Sequence, residues 1–159
     1  MKKFISLISF TLLFGLTAFQ CSDSDAEGEQ RSCCAMPPCS DVASLSGTWR
    51  LVAYQNNVSG ILDNDPDTEG RGVVFTFTDS GKDGKINGHT VANEIEGAYT
   101  ISSACGLTID TFGGTKVGEP GWSGKAWLAS GATGSYKRNG NQLVLGFQNG
   151  EYRMIFKKQ

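Results

Sequence analysis

Residues 133–157, TGSYKRNGNQLVLGFQNGEYRMIFK, decide the fold. Asn139-Gly140 and Asn149-Gly150 each carry the pair that a two-residue hairpin turn favours, because both central positions of that turn need positive φ. The runs beside them, 133–138, 142–148 and 151–157, alternate apolar with polar residues, the period of a half-buried strand. Three antiparallel strands in a meander follow. Upstream, the same alternation predicts strands at 45–55, 73–78, 94–101 and 107–112, with a weaker one at 86–92. Residues 79–85 read as a turn and 56–72 as a long polar connection. The pattern breaks only at 118–131, GEPGWSGKAWLASG, where Trp122, Ala126 and Ala129 fall at helical spacing with Trp127 alongside and Pro120 suits a first turn. One short helix is expected there. The predicted fold is mainly β: a small, antiparallel, barrel-like body of seven or eight strands with one short helix. Trp49, Phe75, Phe77, Tyr99, Phe147 and Phe156 are expected in its core, each stabilising it by roughly 1.5–3 kcal/mol when fully buried.

Composition agrees. Glycine is abundant, at 21 of 159 residues, against only 4 prolines, and charged residues make up 19%. Many short strands joined by tight turns fit that mixture. The formal net charge of −2 gives no electrostatic footprint for nucleic acid.

The N-terminus has the form of an export signal, MKKFISLISFTLLFGLTAFQC at 1–21. Lys2 and Lys3 precede an apolar run that is short for a membrane span and ends at a processing-like site. Cys21 directly after that run marks a lipoprotein: the thiol receives the lipid and the chain is cut before it. Gln20 departs from the small residue usual at that point, while Ala18 and Leu16 fit. Residues 22–30, SDSDAEGEQ, hold no apolar side chain able to offset the entropy of ordering, so a flexible acidic tether is expected. An acidic stretch directly after a lipidated cysteine resembles the surface-export signal of Bacteroidota lipoproteins. Division of the chain into a signal peptide (1–20), an anchor and tether (21–44) and a β domain (45–159) follows.

Beyond Cys21 there are four cysteines: Cys33, Cys34, Cys39 and Cys105. An even number in an oxidising compartment suits disulfides, with three connectivities open. One reading of the cluster RSCCAMPPCSD (31–41) is a staple tying the N-terminal arm to the domain through Cys105. Others are a soft-metal site for Cu(I) or Zn, or thiol chemistry. No histidine lies near the cluster and its spacing fits no zinc pattern, so no metal site and no cofactor are assigned.

No catalytic set emerges. His89, the sole histidine, sits in the turn-rich NGHT without a matching nucleophile motif. Asp63, Asp65 and Asp67 imitate the opening of a calcium loop, but Thr68 and Val74 stand where glycine and glutamate are needed, leaving a solvated acidic turn. GEPGWSGKA is one residue too long for a phosphate loop. Gly47-Thr48-Trp49 is similar to the G-x-W that marks the barrel base in lipocalins.

Taken in order, LSGTWRLVAY (45–54), INGHTVANEIEGAYTI (86–101), FGGTKVGEPGW (112–122), SYKRNGNQLVLGF (135–147) and EYRMIF (151–156) resemble the META domain, the HslJ-like family. The resemblance spans roughly 45–158. It implies a barrel-like β fold with one helix in secreted or membrane-anchored bacterial proteins, a stress-related setting and no catalytic residues to carry over. It also implies that Thr115, Glu119, Trp122 and Trp127, which fall in the signature before and within the helix, are structural. Many members have a cysteine before the asparagine of their turn. Here Asn93 stands without it and Cys105 lies a strand later, so the disulfide of relatives does not transfer.

The expected function is a non-enzymatic envelope lipoprotein, lipid-anchored to the outer membrane and exposed at the surface, which binds or supports an envelope protein under stress. A carrier of a small apolar ligand in a lipocalin-like barrel is the main alternative, and thiol or metal handling by Cys33, Cys34 and Cys39 a further one. A barrel filled by Phe75, Phe77 and Phe147 argues against a carrier. An exposed apolar patch argues for an interaction module.

Overall fold

A computed structural model of the protein describes residues 44–159, which all fall within one compact unit. The expected signal segment, Cys21, the acidic tether and Cys33, Cys34 and Cys39 lie outside the described residues.

Nine strands form a single antiparallel sheet: β1 (Gly47–Asn56), β2 (Leu62–Asn64), β3 (Val74–Ser80), β4 (Asp83–His89), β5 (Glu94–Ile101), β6 (Gly106–Gly114), β7 (Thr133–Asn139), β8 (Gln142–Phe147) and β9 (Tyr152–Lys158). β3 to β9 follow one another as a meander, and β1 joins β3 on one edge and β9 on the other. Eight strands thus close a barrel, and closure leaves no long free edge to template aggregation. Both hairpins joining β7, β8 and β9 form where the sequence predicts them, but not as two-residue Asn-Gly turns: Asn139 still pairs with Gln142, so Gly140 (φ 54°) and Asn141 make the first turn, and residues 148–151, with Asn149 at φ 59°, make the second.

Inward positions are apolar. Trp49, Leu51, Phe75, Phe77, Ile86, Tyr99, Ile109, Leu143, Leu145 and Phe156 are all buried. Phe75 meets Phe77, Phe112 and Phe156 at ring-centroid distances of 6.3, 5.8 and 5.6 Å, and Phe77 meets Tyr99 at 5.4 Å. Edge-on and tilted contacts of this kind add to the gain from burial. Of the aromatics expected in the core, only Phe147 differs. It follows Leu143 and Leu145 on the inward face of β8, but at the last residue of that strand it reaches the barrel rim and is half-buried.

A β-bulge in β1 sets what reaches that rim. Leu51 pairs with Phe156 but Ala53 pairs with Ile155, so Val52 is the extra residue. The bulge shifts the alternation, and Tyr54, paired with inward-facing Met154, turns into the barrel.

The sequence reading is corrected at four places. The expected loop 56–72 contains β2, which pairs with β1 through Ala53, Tyr54 and Gln55. The expected turn 79–85 shrinks to a tight hairpin, with Gly81 at φ 69° and Asp79 paired to Gly84. The strand expected at 86–92 begins three residues earlier and ends at His89. The expected helix is a single turn, α1 (Gly121–Gly124). Beyond it the amides of Lys125, Ala126 and Trp127 bond three residues back, to Trp122, Ser123 and Gly124. Glycines at 121 and 124 are poor helix formers, and burial of Ala126 and Leu128, two residues apart, overrides helical spacing.

The two ends of the barrel differ. At the base the strands meet in short connections, and the chain begins with Leu45 tucked against Trp49. The Trp49 indole N–H donates to the Leu45 carbonyl at 2.9 Å, and the Arg138 guanidinium lies 5.3 Å from the ring centroid. The Gly-x-Trp opening therefore does mark the barrel base. The Asp79 carboxylate accepts from the Leu45 amide and from the Tyr99 hydroxyl. Burial raises its pKa, but hydrogen bonds from Ser44, Tyr99, Leu45 and Ser46 outweigh this and hold it below the ordinary carboxylate value. Cys105, in the base turn before β6, is disulfide-bonded. The opposite end carries the long connections, 57–73 and 115–132, beside the turns 90–93 and 148–151.

Candidate functional site

All the exposed large hydrophobic side chains among the described residues sit at the long-loop end: Val58, Ile61 and Leu62 on the β1–β2 hairpin, Val91 before β5, and Val117 and Trp127 between β6 and β7. The base has none. Val117 is 60% exposed and Trp127 40%.

A hydrogen-bonded knot holds this end in shape. Glu119 accepts from the hydroxyls of Thr90 (2.7 Å) and Ser123 (2.6 Å), the Asn93 side-chain amide (2.6 Å) and the Ala92 backbone amide (3.3 Å). Asn93 in turn donates to the Val117 carbonyl and accepts from the Val117 amide and the Thr115 hydroxyl. Thr90, Asn93 and Ser123 are buried. Burial raises the Glu119 pKa, but bonds from Ser123, Thr90, Asn93 and Ala92 prevail and hold it below the usual value. A carboxylate held by four neutral donors is a cross-link between the β4–β5 turn and the 115–132 loop. Thr115 and Glu119 thus hold these two loops in shape.

Trp122 fixes the same loop to β2 by donating its indole N–H to the Asp63 carbonyl at 3.2 Å, and its ring meets Tyr54 edge-on at 5.0 Å. Lys125 reaches the Asp63 carboxylate at 2.8 Å, and its ammonium lies 5.0 Å from the Tyr152 ring centroid and 5.6 Å from that of Tyr54. Trp127 stands edge-on to Phe112 at 5.4 Å, linking the exposed rim to the buried rings. Trp127 is therefore half surface and half cap.

Two hollows flank Trp127. One, of about 440 Å³, is an open groove along Asn93, Val117, Gly118, Glu119 and Gly124. The other, of about 290 Å³, is a cleft between the 125–132 stretch and the β8–β9 hairpin, walled by Tyr54, Lys125, Trp127, Leu128, Phe147 and Tyr152. Its far wall is pinned by Asn57, whose side-chain amide donates to the Gly150 carbonyl at 2.8 Å and whose backbone amide donates to Glu151. The Tyr54 hydroxyl is buried without any hydrogen-bond partner. Burial, with the charges of Asp63, Asp65 and Glu119 nearby, pushes its pKa far above the ordinary phenol value, so it stays protonated.

The remaining sequence candidates are dispersed. Asp63 pairs with Lys125. Asp65 pairs with Arg50 at 3.0 Å and is almost fully covered, which corrects the expectation of a solvated acidic turn. Asp67 caps the Gly70 amide. Arg50 also donates to the carbonyls of Gly70 and Asp67 and passes beneath Gly72 (φ 62°), where a Cβ would meet the guanidinium at 2.5 Å. Among the described residues no three His, Cys, Asp or Glu gather as metal ligands. His89, at the end of β4, donates from Nδ1 to the Thr90 carbonyl at 3.2 Å. The sequence reading missed Tyr54 and Lys125. Tyr54 is placed by a bulge that alternation alone does not reveal. Lys125 looks like an ordinary surface lysine until the fold brings Asp63 and Tyr152 beside it.

No protein-family model matches the chain, and none of the curated proteins is similar to it. Two solved structures share the fold. A protein from Burkholderia xenovorans, solved by NMR, is 20% identical with a TM-score of 0.54, over 72% of this chain and 82% of that one. A DUF4847 family protein from Bacteroides vulgatus ATCC 8482, known from a crystal structure, is 21% identical with a TM-score of 0.51, over 72% of this chain and 94% of that one. At this identity the likeness is one of fold: a small closed barrel.

Proposed function

We propose that the protein is a non-catalytic binding module of the cell envelope, of META/HslJ-like type, lipid-anchored through Cys21 to the outer membrane and exposed at the surface, and that it engages its partner through the long-loop end of the barrel. One observation carries this reading: exposed apolar side chains gather at a single end, on loops that the Glu119 knot and Trp122 hold in place. Large apolar groups left in water on a well-ordered surface mark a contact site. The chain enters the barrel at the base, beside Trp49, so the apolar end lies opposite the tether's point of attachment. The outer wall suits water, since Lys85, Glu96, Asp110, Lys137 and Lys157 are exposed on it. A spanning barrel needs an apolar band there.

Carriage inside the barrel is disfavoured by the rings of Phe75, Phe77, Tyr99 and Phe156 that fill it. The rim cleft leaves a narrower form of ligand binding open. Thiol chemistry is disfavoured for Cys105, whose sulfur is already in a disulfide.

Two experiments test the reading. Globomycin should block processing, and a palmitate label should appear on the wild type and vanish in Cys21→Ala; labelling that survives this substitution refutes the anchor. Crosslinking of intact envelopes followed by purification should yield a defined partner that is lost when Val117 and Trp127 are replaced by serine. A partner retained by that variant refutes the assignment of the site.

A further inference from the structure

We infer that β2 is a docking edge: its outer side takes up an extended segment of a partner protein as an added strand, and the segment it suits alternates apolar with basic residues. This deepens the binding-module reading and rests on it.

The register leaves one side of β2 unused. Across β1, the Asn56 amide donates to the Ile61 carbonyl and the Asp65 amide to the Val52 carbonyl, so the backbone groups of Ile61, Asp63 and Asp65 face β1. Those of Leu62 and Asn64, between them, face the other way. β2 ends the strand order there, with β1 its sole neighbour among the described strands. An open row of amides and carbonyls is a template for another chain. Lysine, proline and bulges, which blunt such edges elsewhere, are missing from Leu62-Asp63-Asn64, and its one charge, Asp63, is taken by Lys125. Leu62 is 50% exposed, Ile61 69% and Val58 97%, so half or more of each residue's surface is left in water. The hairpin is also set in advance. The Asn56 side chain accepts from the amides of Val58 and Ser59, and Trp122 holds the Asp63 carbonyl, which lowers the cost of ordering on binding.

Charge chooses the partner. β2 and β3 lie on the same side of β1, so the connection between them, with Asp67 and Glu69, runs beside one end of the open edge. Both acids are exposed, and among the described residues no cation pairs with either. A strand laid along β2 therefore gains from basic side chains, while main-chain bonds and alternate apolar contacts hold it. A second copy of the chain is disfavoured as occupant, because pairing β2 with itself brings two sets of these acids together.

The probe is an acetylated, amidated hexapeptide of alternating lysine and valine, titrated into the isotope-labelled full chain and followed by amide NMR. The expected result is saturable shifts at the Leu62 and Asn64 amides, with slowed hydrogen exchange there and Lys137 on the outer wall unmoved. The same peptide with every backbone nitrogen methylated should show no saturable binding. A glutamate–valine peptide should bind about tenfold more weakly. Leu62→Pro should weaken the lysine–valine peptide about tenfold, since that amide faces away from β1 and its loss removes a bond to the peptide alone. Exchange at Asn56 and Asp65, whose amides bridge β1 and β2, shows whether the strand persists in this variant. If the strand is lost, the methylated peptide and the charge variant decide. That variant, Asp67→Asn with Glu69→Gln, should weaken the lysine–valine peptide about fourfold and leave a serine–valine peptide unaffected. Absence of saturable shifts at Leu62 and Asn64, binding that survives methylation, or an acidic peptide that binds as well as the basic one each overturns the inference. So do shifts of these amides with protein concentration alone, the mark of a second copy on the edge. If the peptide fails while envelope crosslinking still yields a partner lost with Val117 and Trp127, only the docking edge is wrong. If both fail, the binding-module reading falls with it.

Discussion

Tyr54 is the residue at which burial and hydrogen bonding pull apart. The bulge at Val52 turns it inward, Trp122 and Tyr152 pack its ring, and its hydroxyl is left without an acceptor. Tyr54→Phe should therefore raise the unfolding free energy by about 1 kcal/mol, measured by urea denaturation, because it removes a buried donor and no hydrogen bond. A loss of stability would show that the hydroxyl has a protein partner in solution. Glu119 makes the opposite case. Its four donors match a carboxylate, and an amide in its place would turn an NH₂ group toward other donors. Glu119→Gln should cost about 2 kcal/mol. Because the folded pKa of Glu119 lies below the unfolded value, its contribution is complete above the ordinary carboxylate range and is lost as pH falls through the folded value. Asp79 adds a loss of the same sign. Acid titration of stability should show a shallower decline in Glu119→Gln than in the wild type, and parallel profiles would contradict this.

Among the elements, the β1–β2 region and the 115–132 loop differ most from what alternation predicts, and both build the site. The meander β7–β8–β9 was legible because two Asn-Gly pairs fall at its hairpins and period-two burial agrees, although the first turn sits one residue later, on Gly140 and Asn141. The Glu94–Ile101 strand was legible for the second reason alone. β2 was not, because its three residues lie in a polar stretch and owe their extended form to pairing with β1 rather than to their own side chains. The helix was read too long because Trp122, Ala126 and Ala129 match helical spacing by accident, while burial at Ala126 and Leu128 dictates the path. In the candidate site, the structural part of Thr115 and Glu119 came from family resemblance, whereas Tyr54, Lys125 and the cleft came only from long-range contacts. The segment after β2 depends on Arg50, which ties Asp65, Asp67 and Gly70 to β1. Arg50→Met should cost about 3 kcal/mol, since it leaves the covered Asp65 carboxylate unpaired. Hydrogen exchange should speed up at residues 65–72 in that variant, and unchanged exchange would show the loop held by other means.

At the scale of the whole molecule, the barrel is polarised. Its interior is filled, its wall is polar, its base is sealed by Trp49 and Arg138, and its exposed apolar groups lie at the other end. Among the described residues such a body has one surface suited to contact, at the end away from Leu45 and Trp49. A photo-crosslinker placed in living cells at Val117, on the long-loop end, at Lys137, on the outer wall, and at Lys82, in the base hairpin, tests this most directly. Mass spectrometry of the adducts should show a defined product from Val117 and none above background from the other two. Equal yields at Lys137 or Lys82, or no adduct at Val117, would contradict the account.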